Sequence, residues 1–373
     1  MSYLDLSKPV RCALAGAITL LSAAGDDVRA DEAAEAFTPV ATAPVSPAPV
    51  PGPERMPCIA RDGRGDFLGW ADYPHCLVDY RTQSTVRWLD DWFGHPEPGD
   101  DEEASAALRA ITELVIDDKG RVTPALRLRA RLSLPKISKR LSLVLEDESQ
   151  DGNRLRSVPT VNEAALALRL LVLNLQRLQV ETDAGVRSGP DLFVRARVHK
   201  SWSLGRDDQF GVRQTLRYGV REKLRAINEL DYMHAFSDTT VGTLYHNLDH
   251  QQEDDARGMF WSRGALVSHM LSGEATVAGG FGQEGVTRPA WEADSRFVWL
   301  RYRQRFLRDW LFYEVEPRLT QTRARDWDTL PSLALRLEVL FGQHSVQIFG
   351  DRLKPAMPAG REDAVDASDP SVP

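Results

Sequence analysis

From about Ala106 to Phe341, apolar and polar side chains alternate with a period of two, the pattern of strands whose two faces meet different surroundings. Residues 125–134 (ALRLRARLSL) are the clearest run. Leu126, Leu128, Ala130, Leu132 and Leu134 share one face, and Arg127, Arg129, Arg131 and Ser133 share the other. A helix repeats every 3.6 residues and cannot sort these side chains so cleanly. The alternation recurs in 191–202, where Leu192, Val194, Ala196 and Val198 oppose Phe193, Arg195, Arg197 and His199. In 296–306 it sets Val298, Leu300 and Tyr302 against Trp299, Arg301, Arg303 and Arg305, and it returns in 311–319 and 332–341.

Carried along the chain, the pattern predicts about fourteen strands: 106–116, 121–134, 140–147, 163–173, 176–187, 191–202, 209–219, 222–233, 238–249, 257–269, 273–283, 295–306, 310–320 and 332–341. Most run ten to twelve residues, enough to cross a bilayer at a tilt. Strands of soluble sandwiches average about five or six residues. The connections at LPKISK, LGRDDQ, HAFSD, LSG and LRD are short. Longer ones, 148–162, 250–256, 284–294 and 321–331, alternate with several of them. Short periplasmic turns opposite longer outer loops mark a membrane barrel. The predicted fold is therefore all-β, an antiparallel up-and-down transmembrane barrel over 105–342. A merged or missed strand would give twelve or sixteen. An even count puts both barrel ends on the periplasmic side. The competing expectation is a soluble β-sandwich or large soluble barrel.

The flanks read differently. Lys8 and Arg11 precede an apolar run from Cys12 to Ala24, with small residues following, which predicts a signal peptide over 1–30. Residues 31–54 form a Pro/Ala-rich linker of polyproline character. Residues 55–104 form a periplasmic segment. In it Val78, Val86, Trp88, Leu89, Trp92 and Phe93 make an amphipathic helix with an aromatic end. That helix either plugs the barrel mouth, lies on the membrane surface, binds a periplasmic protein partner, or packs on its own barrel. Residues 343–373 read as a disordered tail. Cys58 and Cys76 remain after export, an even pair in an oxidising compartment, so a disulfide is expected.

Composition changes the picture in two ways. The formal net charge is −8, which disfavours a nucleic-acid partner. Past the N-terminus no apolar stretch is long enough for a helical span. The mean hydropathy of −0.35 does not conflict with a barrel, whose strands average lipid-facing and lumen-facing residues.

The last strand, 333–342 (LALRLEVLFG), alternates and ends in an aromatic, and it resembles the C-terminal signal of bacterial outer-membrane barrels. It departs from that signal in being followed by about thirty further residues. Three segments, 86–94 (VRWLDDWFG), 126–147 (LRLRARLSLPKISKRLSLVLED) and 302–317 (YRQRFLRDWLFYEVEP), are similar to a little-characterised family of proteobacterial outer-membrane β-barrel proteins. The resemblance covers most of 78–342. It implies the fold and an outer-membrane location, with surrounding lipid as a partner. It carries over no catalytic residue.

The informative chemistry lies on the face opposite the apolar one. Arg127, Arg129, Arg131, Arg195, Arg197, Arg213, Arg217, Arg225, Arg301, Arg303, Arg305 and Arg336 are expected to point into the lumen, with Glu229, Glu314, Glu316 and Glu338. Either Arg and Glu pair across the interior and close it, or an Arg excess of about three per acid lines a wet passage for anions or acidic oligosaccharides. A one-residue slip in strand phase would reverse these faces. A lipid hydrolase would need a Ser beside a His, and His246, His250 and His269 near Ser262 and Ser268 are the available groups. A metal site could draw on His246, His250, Glu253, Asp254 and Asp255, but their spacing is not that of a calcium loop. A solvated loop is the simpler reading of that stretch, and no cofactor or enzymatic activity is expected. Three functions compete: a channel with an Arg-rich lumen for small anionic solutes, a closed barrel acting in envelope structure or assembly through its periplasmic segment, and a lipid-modifying enzyme. Trp202, Trp261, Trp310, Tyr313 and Phe341 suit interfacial anchoring, while Trp299 falls on the Arg face.

Overall fold

The computed structural model describes residues 70–93, 104–135, 138, 140–147, 164–175, 177–189 and 191–342. The expected signal peptide, linker, Cys58 and C-terminal tail lie outside the described residues. So does the expected Cys58–Cys76 pairing. The chain divides into two units, 1–73 and 74–373. Of the first, only the turn at Trp70–Ala71 and the first residues of a helix are described.

That helix, α1, spans Asp72–Phe93. Fourteen strands follow: β1 Ser105–Ile116, β2 Val122–Ser133, β3 Leu141–Asp147, β4 Ala164–Leu175, β5 Leu178–Arg187, β6 Asp191–Ser203, β7 Asp208–Gly219, β8 Lys223–Ser237, β9 Thr240–Gln251, β10 Met259–Ser272, β11 Ala275–Val286, β12 Glu292–Phe306, β13 Arg308–Thr322 and β14 Thr329–Phe341. Each strand pairs antiparallel with its sequence neighbours, and β14 pairs with β1 from Leu108↔Phe341 to Ile116↔Leu333. The sheet closes as an up-and-down barrel and leaves no free edge, and the second sheet that a sandwich requires is absent among the described residues.

Burial runs opposite to that of a water-soluble protein. Leu192 and Val194 are 65% and 58% exposed, whereas Arg195, next in sequence, is 3% exposed. The same inversion holds at Leu126, Leu128, Leu166, Leu168, Val298 and Leu300, all exposed. In water an apolar surface this extensive would drive association. Around a closed barrel it is a lipid-facing belt, since a barrel satisfies every backbone group within its own wall. The alternation thus sends leucines and valines to hydrocarbon and arginines to the lumen.

The turns set the orientation. On the rim that carries the start of β1 and the end of β14, the connections include 204–207, 238–239, 273–274 and residue 307. The opposite rim carries 117–121, 220–222, 252–258, 287–291 and 323–328, and the expected loop 148–162 lies outside the described residues. Shorter turns mark the periplasmic rim. Several expected outer loops are shorter than the alternation predicts: β12 already begins at Glu292 and β14 at Thr329.

Aromatic side chains gather near both rims. Trp202 stacks with Phe210, and Tyr313 contacts Tyr302 and Phe306 near the periplasmic side. Trp261 stacks with Trp291 near the outer side. Amphipathic rings favour these headgroup levels.

Helix α1 packs on the barrel's own periplasmic rim. Val86 and Leu89 meet Ala104, Ala106, Leu132 and Leu134. Ala106 and Leu132 are register partners of outward phase, so the helix covers the wall from outside at the junction of β1 and β2. There β1 outruns β14, whose pairing ends at Leu108↔Phe341. The side-chain amide of Gln83 fills the gap: its Nε2 donates to the Ala106 carbonyl at 2.8 Å, and its Oε1 accepts from the Ala106 N–H at 3.2 Å. His75 lies 3.9 Å from the Trp310 ring and 4.8 Å from Phe341, with Nε2 2.7 Å from the Leu340 carbonyl oxygen. Of the arrangements the sequence left open, packing on its own barrel is the one observed.

Candidate functional site

Strand alternation places the lumen-facing rows, and cross-strand register then decides which charges meet. Arg127, Arg129, Arg131, Arg195, Arg197, Arg213, Arg217, Arg301, Arg303, Arg305, Glu314, Glu316 and Arg336 all lie in rows of inward phase. Most of them join three ion-pair groups.

The first spans β3 to β6. Arg169 Nε lies 2.9 Å from Asp183 and its Nη2 lies 2.8 Å from Glu146. Arg195 pairs with the same Asp183 and reaches Glu146 at 3.0 Å. Glu181 accepts from Arg197 at 3.2 Å.

The second group stands at the outer ends of β5 to β9. Glu222, in the turn after β7, is 2.6 Å from Arg217, 3.2 Å from Arg225 and 3.3 Å from Arg187. Burial pushes the Glu222 carboxyl up, but the hydrogen bond from Arg217 and the three surrounding guanidinium charges outweigh it and hold the pKa below the ordinary glutamate value. Arg225 also pairs with Asp249 at 2.6 Å, and Arg187 with Asp191 at 2.8 Å.

The third group crosses the closure between β12 and β2. Glu316 accepts from Arg301 at 2.6 Å and from Arg318 and Arg336 at 2.8 Å. Glu314 pairs with Arg336 and, at 3.2 Å, with Arg303. Glu338 joins Arg303 at 2.7 Å to Arg109 at 2.8 Å. Glu113 closes the chain to Arg127 at 2.8 Å and Arg336 at 3.1 Å.

These networks correct the expected charge balance. Glu113, Glu146, Glu181, Asp183, Asp191, Glu222 and Asp249 supply lumen-side carboxylates that were not set against the arginines, so the excess of cations is much smaller than three to one. Each strand member of that set shares the inward phase of its strand, so alternation alone could have found it. One expected lumen arginine is less central: Arg305 pairs at 3.0 Å with the exposed Asp309 at the periplasmic rim. Arg213, in the middle of β7, is 3.4 Å from Glu229, and its side chain is 34% exposed.

Cationic bias persists on one wall. Arg109 and Arg129 are register partners on β1 and β2, and Arg127 and Arg131 flank Arg129 on the same face. Arg131 is half-buried and pairs with no carboxylate among the described residues.

A neighbouring stretch of the wall is aromatic. Tyr245, Gly264, Gly282 and Phe297 form one inward row across β9 to β12. A Cβ at either glycine would lie 2.5 Å from the Tyr245 hydroxyl, so the tyrosine rests across the two bare positions. Trp299 packs with Phe297 and Tyr245 inside the barrel, under the Arg301 guanidinium at 4.9 Å.

The hydrolase arrangement is not formed among the described residues, and the Asp254 and Asp255 side chains of the metal candidate lie outside them. His246, His250 and His269 fall on outward rows, whereas Ser262 and Ser268 fall on inward ones, so the wall itself separates them. Ser262 instead lies 3.3 Å from Asn247, and His269 lies 2.8 Å from Thr240. Among the described residues there is no group of three or more side chains able to hold a metal ion.

No family model and no curated protein matches the chain. Among solved structures it is similar to the KdgM porin, at 5% identity and a TM-score of 0.33, over 62% of this chain and 98% of that one. The outer membrane channel DcaP of Acinetobacter baumannii aligns at 9% identity and a TM-score of 0.40, over 64% and 96%. OccD1 (OprD) aligns at 8% and 0.40, over 67% and 97%. The closed sheet and lipid-facing belt described above make this chain an outer-membrane β-barrel protein.

Proposed function

We propose that this protein is an outer-membrane channel that passes small hydrophilic solutes and favours anionic ones. The observation that carries the reading is the state of the lumen side chains. They are paired along the wall, yet Arg301 and Arg213 keep 27% and 34% of their side-chain surface open to water. A barrel of eight strands is filled by its own side chains, and one of sixteen to eighteen leaves an aqueous channel. Fourteen strands with charges laid flat against the wall fall toward the wider end of that range.

Anion preference follows from Arg131, which stands on the inward face of β2 with no carboxylate partner among the described residues, because fixed charge lining a passage sets its selectivity. Guanidinium groups also match carboxylates and phosphates in a bidentate fashion. The aromatic stretch, with Arg301 over Trp299, offers a flat apolar surface beside a cation. A sugar acid would use both.

Solute uptake into liposomes carrying the full chain tests this. Uptake of a monosaccharide acid is expected to exceed that of the neutral sugar of the same size, and Arg131→Glu is expected to remove the difference. Equal uptake of both sugars contradicts the selectivity. No uptake of either favours the second reading, a closed envelope barrel, which the density of the ion-pair network supports.

A further inference from the structure

One row of side chains on the lipid-facing surface breaks the apolar belt. His246, Arg263, Gln283, Arg296, Gln321 and Thr329 are successive register partners across β9 to β14. All have outward phase, and Arg263 and Arg296 are exposed. Two residues nearer the periplasm, the parallel row is Leu244, Ala265, Phe281, Val298, Leu319 and Pro331, and it carries no polar side chain. The polar row therefore marks the outer edge of the hydrocarbon zone. It contains no carboxylate, in contrast to the lumen, where carboxylates accompany most of the arginines.

The two arginines are held by aromatics. Arg263 lies over the Trp261 ring at 5.1 Å and is 3.4 Å from Gln283. Trp261 is itself fixed, with Nε1 donating to the Val286 carbonyl at 3.1 Å and its ring stacked on Trp291. Arg296 lies over the Trp327 ring at 4.8 Å. Such contacts orient a guanidinium without neutralising it. With strands about 4.8 Å apart, Arg263 on β10 and Arg296 on β12 stand about 10 Å from one another across Gln283.

A cation facing lipid is costly at the bilayer centre and tolerated near the interface. Two of them at the outer interface, held in place and without acid partners, fit an anion that arrives with the lipid. We propose that this face, centred on Arg263 and Arg296, binds the phosphate groups of a phosphorylated, multiply acylated glycolipid of the outer leaflet. The acyl chains lie on the Leu244–Phe281–Val298–Leu319 row below. A disaccharide with a phosphate at each end spans the two guanidinium groups. This binding is independent of whether the lumen conducts.

The test is native mass spectrometry of the full chain in detergent, titrated with bis-phosphorylated hexa-acyl lipid A, its dephosphorylated form, or phosphatidylglycerol. The wild type is expected to bind the bis-phosphorylated form at least about tenfold more tightly than either of the others. The double variant R263Q/R296Q is expected to lose that preference, and R121Q, in an outer turn away from the row, to keep it. Retention of the preference by a folded R263Q/R296Q overturns the assignment. If the double variant does not fold, the wild-type comparison still decides: equal affinity for the phosphorylated and dephosphorylated forms, or for phosphatidylglycerol, also overturns it.

Discussion

Arg195 and Glu146 meet at 3.0 Å although two strands, β4 and β5, lie between them. Asp183 and Arg169 occupy those two strands and complete the bridge. Neighbours this distant in a flat sheet would stay apart. On the concave side of a closed sheet, long side chains converge.

Asp183 is the member of this group whose loss is felt most, because it is buried against both Arg169 and Arg195. Removing one partner of a buried pair leaves uncompensated charge and costs roughly 3–5 kcal/mol. Asp183→Asn is therefore expected to lower the denaturant midpoint of the refolded barrel, as followed by heat-modifiable gel mobility. Asp309→Asn, on an exposed rim carboxylate, is expected to leave it unchanged.

The aromatic wall depends on its two glycines. A side chain at Gly282 would meet the Tyr245 hydroxyl at 2.5 Å and the Phe297 ring at 2.6 Å. Overpacking of this kind costs about 1–3 kcal/mol. Gly282→Val is expected to destabilise the barrel by that amount in equilibrium unfolding. Combining it with Tyr245→Ala is expected to recover part of the loss.

Helix α1 holds the seam through Gln83. Gln83→Ala removes both hydrogen bonds to Ala106, each worth about 1 kcal/mol. Hydrogen exchange at the Ala106 amide is expected to speed up by roughly tenfold or more, while exchange in mid-strand residues such as Arg195 stays the same.

Much of the fold was legible in the alternation. Expected strand 191–202 is Asp191–Ser203, and 209–219 is Asp208–Gly219. The misses fall at strand ends on both rims: at the periplasmic rim β8 runs on to Ser237 and β10 to Ser272. Strand β12 begins at Glu292 and β9 continues to Gln251, where pairing persists although both faces have become polar. Beyond the lipid the two faces see the same water, so the period-two signal fades before the ladder ends. The lumen was legible by face but not by partner. Alternation sends Arg195 inward, but only the register and curvature of the closed sheet bring it to Glu146, which is 49 residues away. The same limit left the histidines of β9 and β10 beside serines that face the other way.

The proposed function requires an open passage with a cationic residue, Arg131, on its wall. It is tested most directly by single-channel recording of the full chain in a planar bilayer under asymmetric salt. Stable conductance steps, a reversal potential on the anion side, and a shift toward cations in Arg131→Glu are expected. Membrane insertion without any conductance would contradict it.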